Sequence, residues 1–79
     1  MPAEPARVEQ VIRKSLESFG AEPEQITREV TLEALDIDSL DLAELSQIVD
    51  EHFGVELTGA DVAAVKTVGD AIDLVLERS

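Results

Sequence analysis

The long apolar side chains of this 79-residue chain recur at three- and four-residue spacing, and no stretch alternates between apolar and polar. That pattern favours helices and gives no support to a half-buried strand, so the sequence predicts an all-α fold. Val8, Val11, Ile12, Leu16 and Phe19 form the stripe of a first helix, from about Pro5 to Phe19. Pro5 suits the first helical position and Gly20 the residue just past the end. A polar connection follows over 21–30, with Pro23 inside it and Ile26 as its apolar anchor; residues 31–35 read as a single helical turn. A second helix is expected from about Ser39 to Phe53, with Asp38 as N-cap and Gly54 as stop. At ~100° per residue, Leu42, Ile48, Val49 and Phe53 project within about 80° of Leu45, and His52 falls on the same side. His52 therefore reads as a packed or half-exposed residue at the core edge. Thr58 with Asp61 opens a short helix over 59–65, and Thr67 with Asp70 opens a last one striped by Val68, Ala71, Ile72, Val75 and Leu76. The expected architecture is a small four-helix bundle, three longer helices and one short, filling residues 1–79 as a single domain.

A chain this short buries only ~60% of its unfolded surface. Phe19 and Phe53 are its only aromatics, so the core must come from Leu, Ile, Val and Ala. Six Lys and Arg against eighteen Asp and Glu leave a net charge of −12. Coulomb repulsion then disfavours nucleic acid and anionic membranes, and partners should carry positive charge. The absence of Cys excludes disulfides, zinc–thiolate sites and thiol nucleophiles, and one His cannot make a two-His metal motif. No run of ~18 apolar residues suggests a membrane span, and Met1-Pro2-Ala3-Glu4 lacks the form of a signal peptide. A cytoplasmic monomer is the expectation. Ten acids and no Lys or Arg lie between Arg28 and Lys66, interleaved with Val30, Leu32, Leu35, Ile37 and the second helix's apolar stripe. Acids on such a framework read as the charged face of a folded element. Their crowding is expected to raise carboxyl pKa values, so that mild acid stabilises the fold.

Candidate chemistry concentrates in Leu35-Asp36-Ile37-Asp38-Ser39-Leu40-Asp41-Leu42, where three carboxylates surround one serine at a helix start. The plainest reading makes Ser39 a helix-start residue and the acids complements to the dipole. A calcium loop fails: counted from Asp36, its fifth, sixth and twelfth positions hold Leu40, Asp41 and Gln47 instead of an oxygen ligand, Gly and Glu. A serine nucleophile fails too. It needs an adjacent base, and His52 lies thirteen residues along the same helix, about 20 Å away at ~1.5 Å per residue. A modification site remains open, because the unpaired N–H groups and partial positive charge of a helix start tolerate a phosphodiester on its first residue.

Asp38-Ser39-Leu40, opening an acidic amphipathic helix inside an acidic chain of four predicted helices, resembles the acyl carrier proteins. The likeness extends over nearly the whole chain, including the long loop before the motif, Phe53-Gly54-Val55, and Thr67-Val68-Gly69-Asp70-Ala71. It implies that Ser39 receives 4′-phosphopantetheine from coenzyme A and that the arm's thiol carries acyl groups as thioesters. The chain would then be a carrier and not an enzyme, with no metal site of its own. Its implied partners are a phosphopantetheinyl transferase and acyl-processing enzymes such as a ketosynthase and an acyltransferase, each with a basic patch. These would read Asp36, Asp38, Leu40, Asp41, Glu44, Gln47 and Glu51. Leu40 lies about 140° from the core direction, ringed by acids, and would fill an apolar pocket while the acids meet Lys or Arg. Two departures from the family pattern stand out. Asp36 occupies a position where many members have Gly, and the third helix carries a single acid, Asp61. The second leans the reading from fatty-acid synthesis toward a polyketide or other specialised pathway. The alternatives are an unmodified acidic interaction module and a peptidyl or aminoacyl carrier; the Gly-Gly pair usual in peptidyl carriers is missing.

Overall fold

A computed structural model describes residues 4–79. The Met1-Pro2-Ala3 segment, on which the signal-peptide expectation rests, lies outside the described residues. The helices are α1 (Pro5–Ser18), α2 (Ser39–Phe53), α3 (Gly59–Ala64) and α4 (Val68–Arg78), so the four-helix expectation holds. None is long and apolar enough to cross a membrane. α1 packs against both α2 and α4. Val8, Ile12 and Leu16 of α1, Leu45 and Val49 of α2, and Val68, Ile72 and Val75 of α4 are buried together. Ser15 is buried on the same side of α1, its hydroxyl donating to the Val11 carbonyl at 2.8 Å.

The long α1–α2 connection belongs to the core. Ala21, Ile26, Leu32, Leu35 and Ile37 are all buried. Arg13 of α1 donates to the Ile26 carbonyl at 2.6 Å and so fixes where that anchor enters. A single 3₁₀ turn, Pro23–Gln25, precedes it. The turn expected over 31–35 is present as successive hydrogen-bonded turns, with Thr31 Oγ1 accepting from the Ala34 N–H, and not as a helix. Further along, the connection pairs with the start of α4. Leu32 N–H donates to the Lys66 carbonyl at 2.9 Å, Val68 N–H to that of Val30 at 3.1 Å and Gly69 N–H to that of Arg28 at 2.9 Å. Thr31 and Thr67 form an isolated antiparallel bridge there, with no strand around it.

Three helices begin with reciprocal capping boxes: Asp38 with Asp41, Thr58 with Asp61, and Thr67 with Asp70. The acid reaches back to the cap's own N–H, which satisfies two donors at once. The Thr58 N–H, followed by the Arg78 guanidinium, holds the Asp61 carboxyl below the usual carboxylate range. The Thr67 and Lys66 N–H groups do the same for Asp70. Both displacements run opposite to the rise expected from charge crowding, because local donors outweigh distant like charges screened by solvent.

Candidate functional site: the start of α2 and the face beside it

The chain enters α2 through an abrupt change of direction. Asp36 adopts φ +60°, the left-handed region that L-residues other than Asn and Asp seldom occupy. Asp38 follows in extended backbone as N-cap, and its Oδ1 accepts from the Asp41 N–H at 2.9 Å. In return the Asp38 N–H donates to Asp41 Oδ2 at 3.4 Å. Ser39 is thereby fixed as the first helical residue, exposed, with no hydrogen bond made by its hydroxyl. As in any helix start, the N–H groups of Ser39 and Leu40 have no helical acceptor.

The structure sorts the residues expected around Ser39. Leu40 is 78% exposed and is the one large apolar side chain left in water among the described residues. Glu44, Gln47 and Glu51 are exposed on the same side of α2, and Asp36 and Asp38 are exposed beside its start. Asp41 differs: it is half-buried and engaged in the capping box, so it adds charge to this face more than a free contact. The sequence reading found Asp38 as cap but missed the box, although Asp38 and Asp41 have the same three-residue spacing as Thr58 and Asp61. His52 corrects another expectation. It is exposed, its ring 6.1 Å from that of Phe53, in the last turn of α2 where a basic group complements the helix dipole. On a helical wheel His52 falls on the core side, but Phe53 and not His52 packs against the core.

Behind α2 lies an apolar cavity of about 20 Å³, lined by Leu42, Leu45, Ser46 and Val49 of α2 and by Leu57, Val62 and Val65 on the α3 side, among others. An open groove lined by Thr31, Leu32, Ile37 and Lys66 meets it at Leu42 and Val65, which border both. α3 is joined to α4 by a fork of two hydrogen bonds from Arg78 to Asp61, at 2.7 and 3.0 Å. No three His, Asp or Glu side chains among the described residues are gathered where a metal ion could be held.

The family model for the phosphopantetheine attachment site matches residues 9–75. The chain belongs to that family. Among solved structures, it is similar to the acyl carrier protein of Enterococcus faecalis, with a TM-score of 0.83 and 25% identity over 98% of this chain and 100% of that one. It also shares the fold of the acyl carrier protein of Thermotoga maritima, with a TM-score of 0.75 and 22% identity over 92% and 86% of the two chains. The bundle is therefore of the acyl-carrier type, and the family's covalent cofactor is 4′-phosphopantetheine. Acyl carriers serve a transferase and acyl-processing enzymes as substrates and are not enzymes themselves. The residues present fit such a group: an exposed serine with an unengaged hydroxyl at a helix start, two residues from Ile37 in the groove that shares Leu42 and Val65 with an apolar cavity.

Proposed function

We propose that this chain is an acyl carrier whose Ser39 Oγ holds the 4′-phosphopantetheine arm. The observation that carries the reading is Ser39 itself: the first residue of α2, exposed, and without any bond that modification would break. His52 stands at the far end of the helix and Asp38 and Asp41 are engaged in the capping box, so the reading assigns the proton on Oγ to a group of the transferase. Oγ then attacks the phosphorus of coenzyme A that bears the pantetheine. The phosphoanhydride bond breaks, and the adenosine nucleotide departs with its own phosphates. The arm's thiol supplies the thioester chemistry. The chain's own residues orient and present the arm: the Asp38–Asp41 box fixes the helix start, and the left-handed turn at Asp36 sets its angle of approach.

Leu40 with Asp36, Asp38, Asp41, Glu44, Gln47 and Glu51 is the surface offered to partners. An exposed Leu among acids fits a partner with an apolar pocket rimmed by Lys or Arg, whether the transferase, a ketosynthase or an acyltransferase. The single acid of α3 is occupied by Arg78, which leaves α3 no free acid to present. That supports the lean toward a polyketide or other specialised pathway over fatty-acid synthesis. The reading also takes residues 1–79 as a single carrier domain, monomeric and cytoplasmic. The test is to isolate the protein from its source and identify what Ser39 carries. An acylated pantetheine arm supports the reading, and oxygenated acyl chains support the specialised pathway. An aminoacyl group points to the peptidyl alternative. A bare Ser39 in every preparation contradicts the carrier reading and leaves the acidic interaction module.

A further inference from the structure

Ser46, one of the residues lining the cavity behind α2, carries a hydroxyl that attachment at Ser39 does not use. Ser46 Oγ is sealed from solvent and has no hydrogen-bond partner. Ser46 also contributes the one polar side chain to the cavity lining. Buried hydroxyls are nearly always bonded. A serine inside a helix ordinarily donates to the carbonyl four residues back, as Ser15 does to Val11 at 2.8 Å. Ser46 makes no such bond to Leu42. Inside the cavity a trapped water would need two to four polar partners, which the rest of that lining does not offer; on another side Ser46 borders an open groove lined by Gln47, Asp50 and Glu56, but its Oγ is sealed from solvent.

The position of Ser46 relative to Ser39 gives the orphan hydroxyl a meaning. Seven residues separate them, so at ~100° per residue Ser46 returns to within about 20° of the direction of Ser39, about 10 Å further along the helix. The groove bordered by Leu32 and Ile37 and the cavity share Leu42 and Val65 as lining residues, so moving these two side chains apart would join them. A chain tethered at Ser39 and entering there would meet apolar walls and one hydroxyl. At about 20 Å³ the cavity must widen to admit it. The Leu and Val side chains around it are able to move apart, whereas the need of Ser46 for a partner stays.

We infer that Ser46 is a specificity-determining residue, and that this cleft shelters acyl cargo bearing a keto or hydroxyl oxygen in preference to a saturated chain of equal length. The inference rests on the carrier reading. A serine hydroxyl donates to a keto oxygen or accepts from a hydroxyl. A saturated chain leaves it buried and unpaired, and sites built to bond a polar group discriminate against analogues that lack it.

The test uses full-length protein loaded by a phosphopantetheinyl transferase from coenzyme A analogues bearing amide-linked hexanoyl or 3-oxohexanoyl chains, with loading verified by intact mass. NMR reports the sheltered fraction through the methyl shifts of Leu57, Val62 and Val65 and through contacts between the cargo and the Ser46 Hβ protons. One added neutral hydrogen bond corresponds to a preference of roughly three- to tenfold for the 3-oxo chain. In Ser46→Ala that ratio should fall to about one or invert. The cargo series on wild type already decides the matter if the variant folds poorly. Equal sheltering of the two chains in wild type, or a preference that survives in folded Ser46→Ala, overturns this inference and leaves the carrier reading intact. Failure of any pantetheine analogue to attach overturns the carrier reading and this inference with it.

Discussion

Replacing Gly69 by Ala tests how the chain before Ser39 is held in place. Gly69 lies in the first turn of α4, where its N–H donates to the Arg28 carbonyl at 2.9 Å. A Cβ built there stands 2.9 Å from that same oxygen and 3.3 Å from the Arg28 Cβ and Nη2 atoms. The guanidinium end can swing aside, but the carbonyl oxygen belongs to the connection that pairs with α4 and cannot move alone. Forcing it back strains the packing by about 1–3 kcal/mol and weakens a hydrogen bond worth about 1 kcal/mol. Against this, Ala gains about 1 kcal/mol over Gly in a helix. The net expectation is a loss of about 1–3 kcal/mol. For a domain of this size that lowers Tm by roughly 5–15 °C. Thermal melting by circular dichroism reads the loss. Phosphopantetheinylation at a temperature where the variant is still folded shows whether the shift reaches Ser39. A Tm equal to or above wild type would refute the argument, because it would mean that the close approach of Gly69 and Arg28 does not constrain the connection.

Leu40→Ala should speed dissociation from a transferase with little change in salt dependence. Glu44→Lys should slow association and alter its salt slope. Both should leave Tm near wild type, and transfer kinetics as fast as wild type in both variants at low salt would remove α2 as the recognition face. Asp36→Gly should stabilise by about 0.5–1 kcal/mol, since Gly takes a positive φ without steric cost; a clear loss would show that the Asp36 side chain supports the turn. Asp61 and Asp70 have carboxyls held below the ordinary Asp range in the fold, so their contribution is present above that ordinary range and is lost as pH falls through the lower folded values. Protonating them therefore gives no gain on moving down from neutral pH. A Tm that climbs steadily to pH 3 would contradict this sign and restore charge crowding as the dominant effect.

The helices were legible because their signals are local. The α1 and α4 stripes, Pro5, Gly54 and the Thr58 and Thr67 boxes each involve residues within a few positions of one another. The motif around Ser39 was legible for the same reason. What the sequence hid is non-local. The pairing of 28–32 with 66–69 joins segments far apart in the chain, and no periodicity announces it. The burial of Leu35 and Ile37 follows from that docking. The left-handed turn has one signal in the sequence, Asp36 at a position where many members of the family have Gly, the residue that takes a positive φ most easily. A helical wheel gives the direction of a side chain and not what covers it, which is why His52 emerged into solvent and why the isolation of Ser46 Oγ went unseen.

The central claim is that Ser39 is the attachment point, and intact mass spectrometry tests it most directly. The protein is incubated with coenzyme A, Mg²⁺ and a phosphopantetheinyl transferase, alongside Ser39→Ala. That variant keeps the Asp38–Asp41 box and loses no contact seen at Ser39, so its stability should stay within about 0.5 kcal/mol of wild type. The account predicts one added phosphopantetheine on wild type, located by fragmentation to Ser39, and none on the folded variant. An unmodified wild-type chain, or a modified Ser39→Ala, would contradict it.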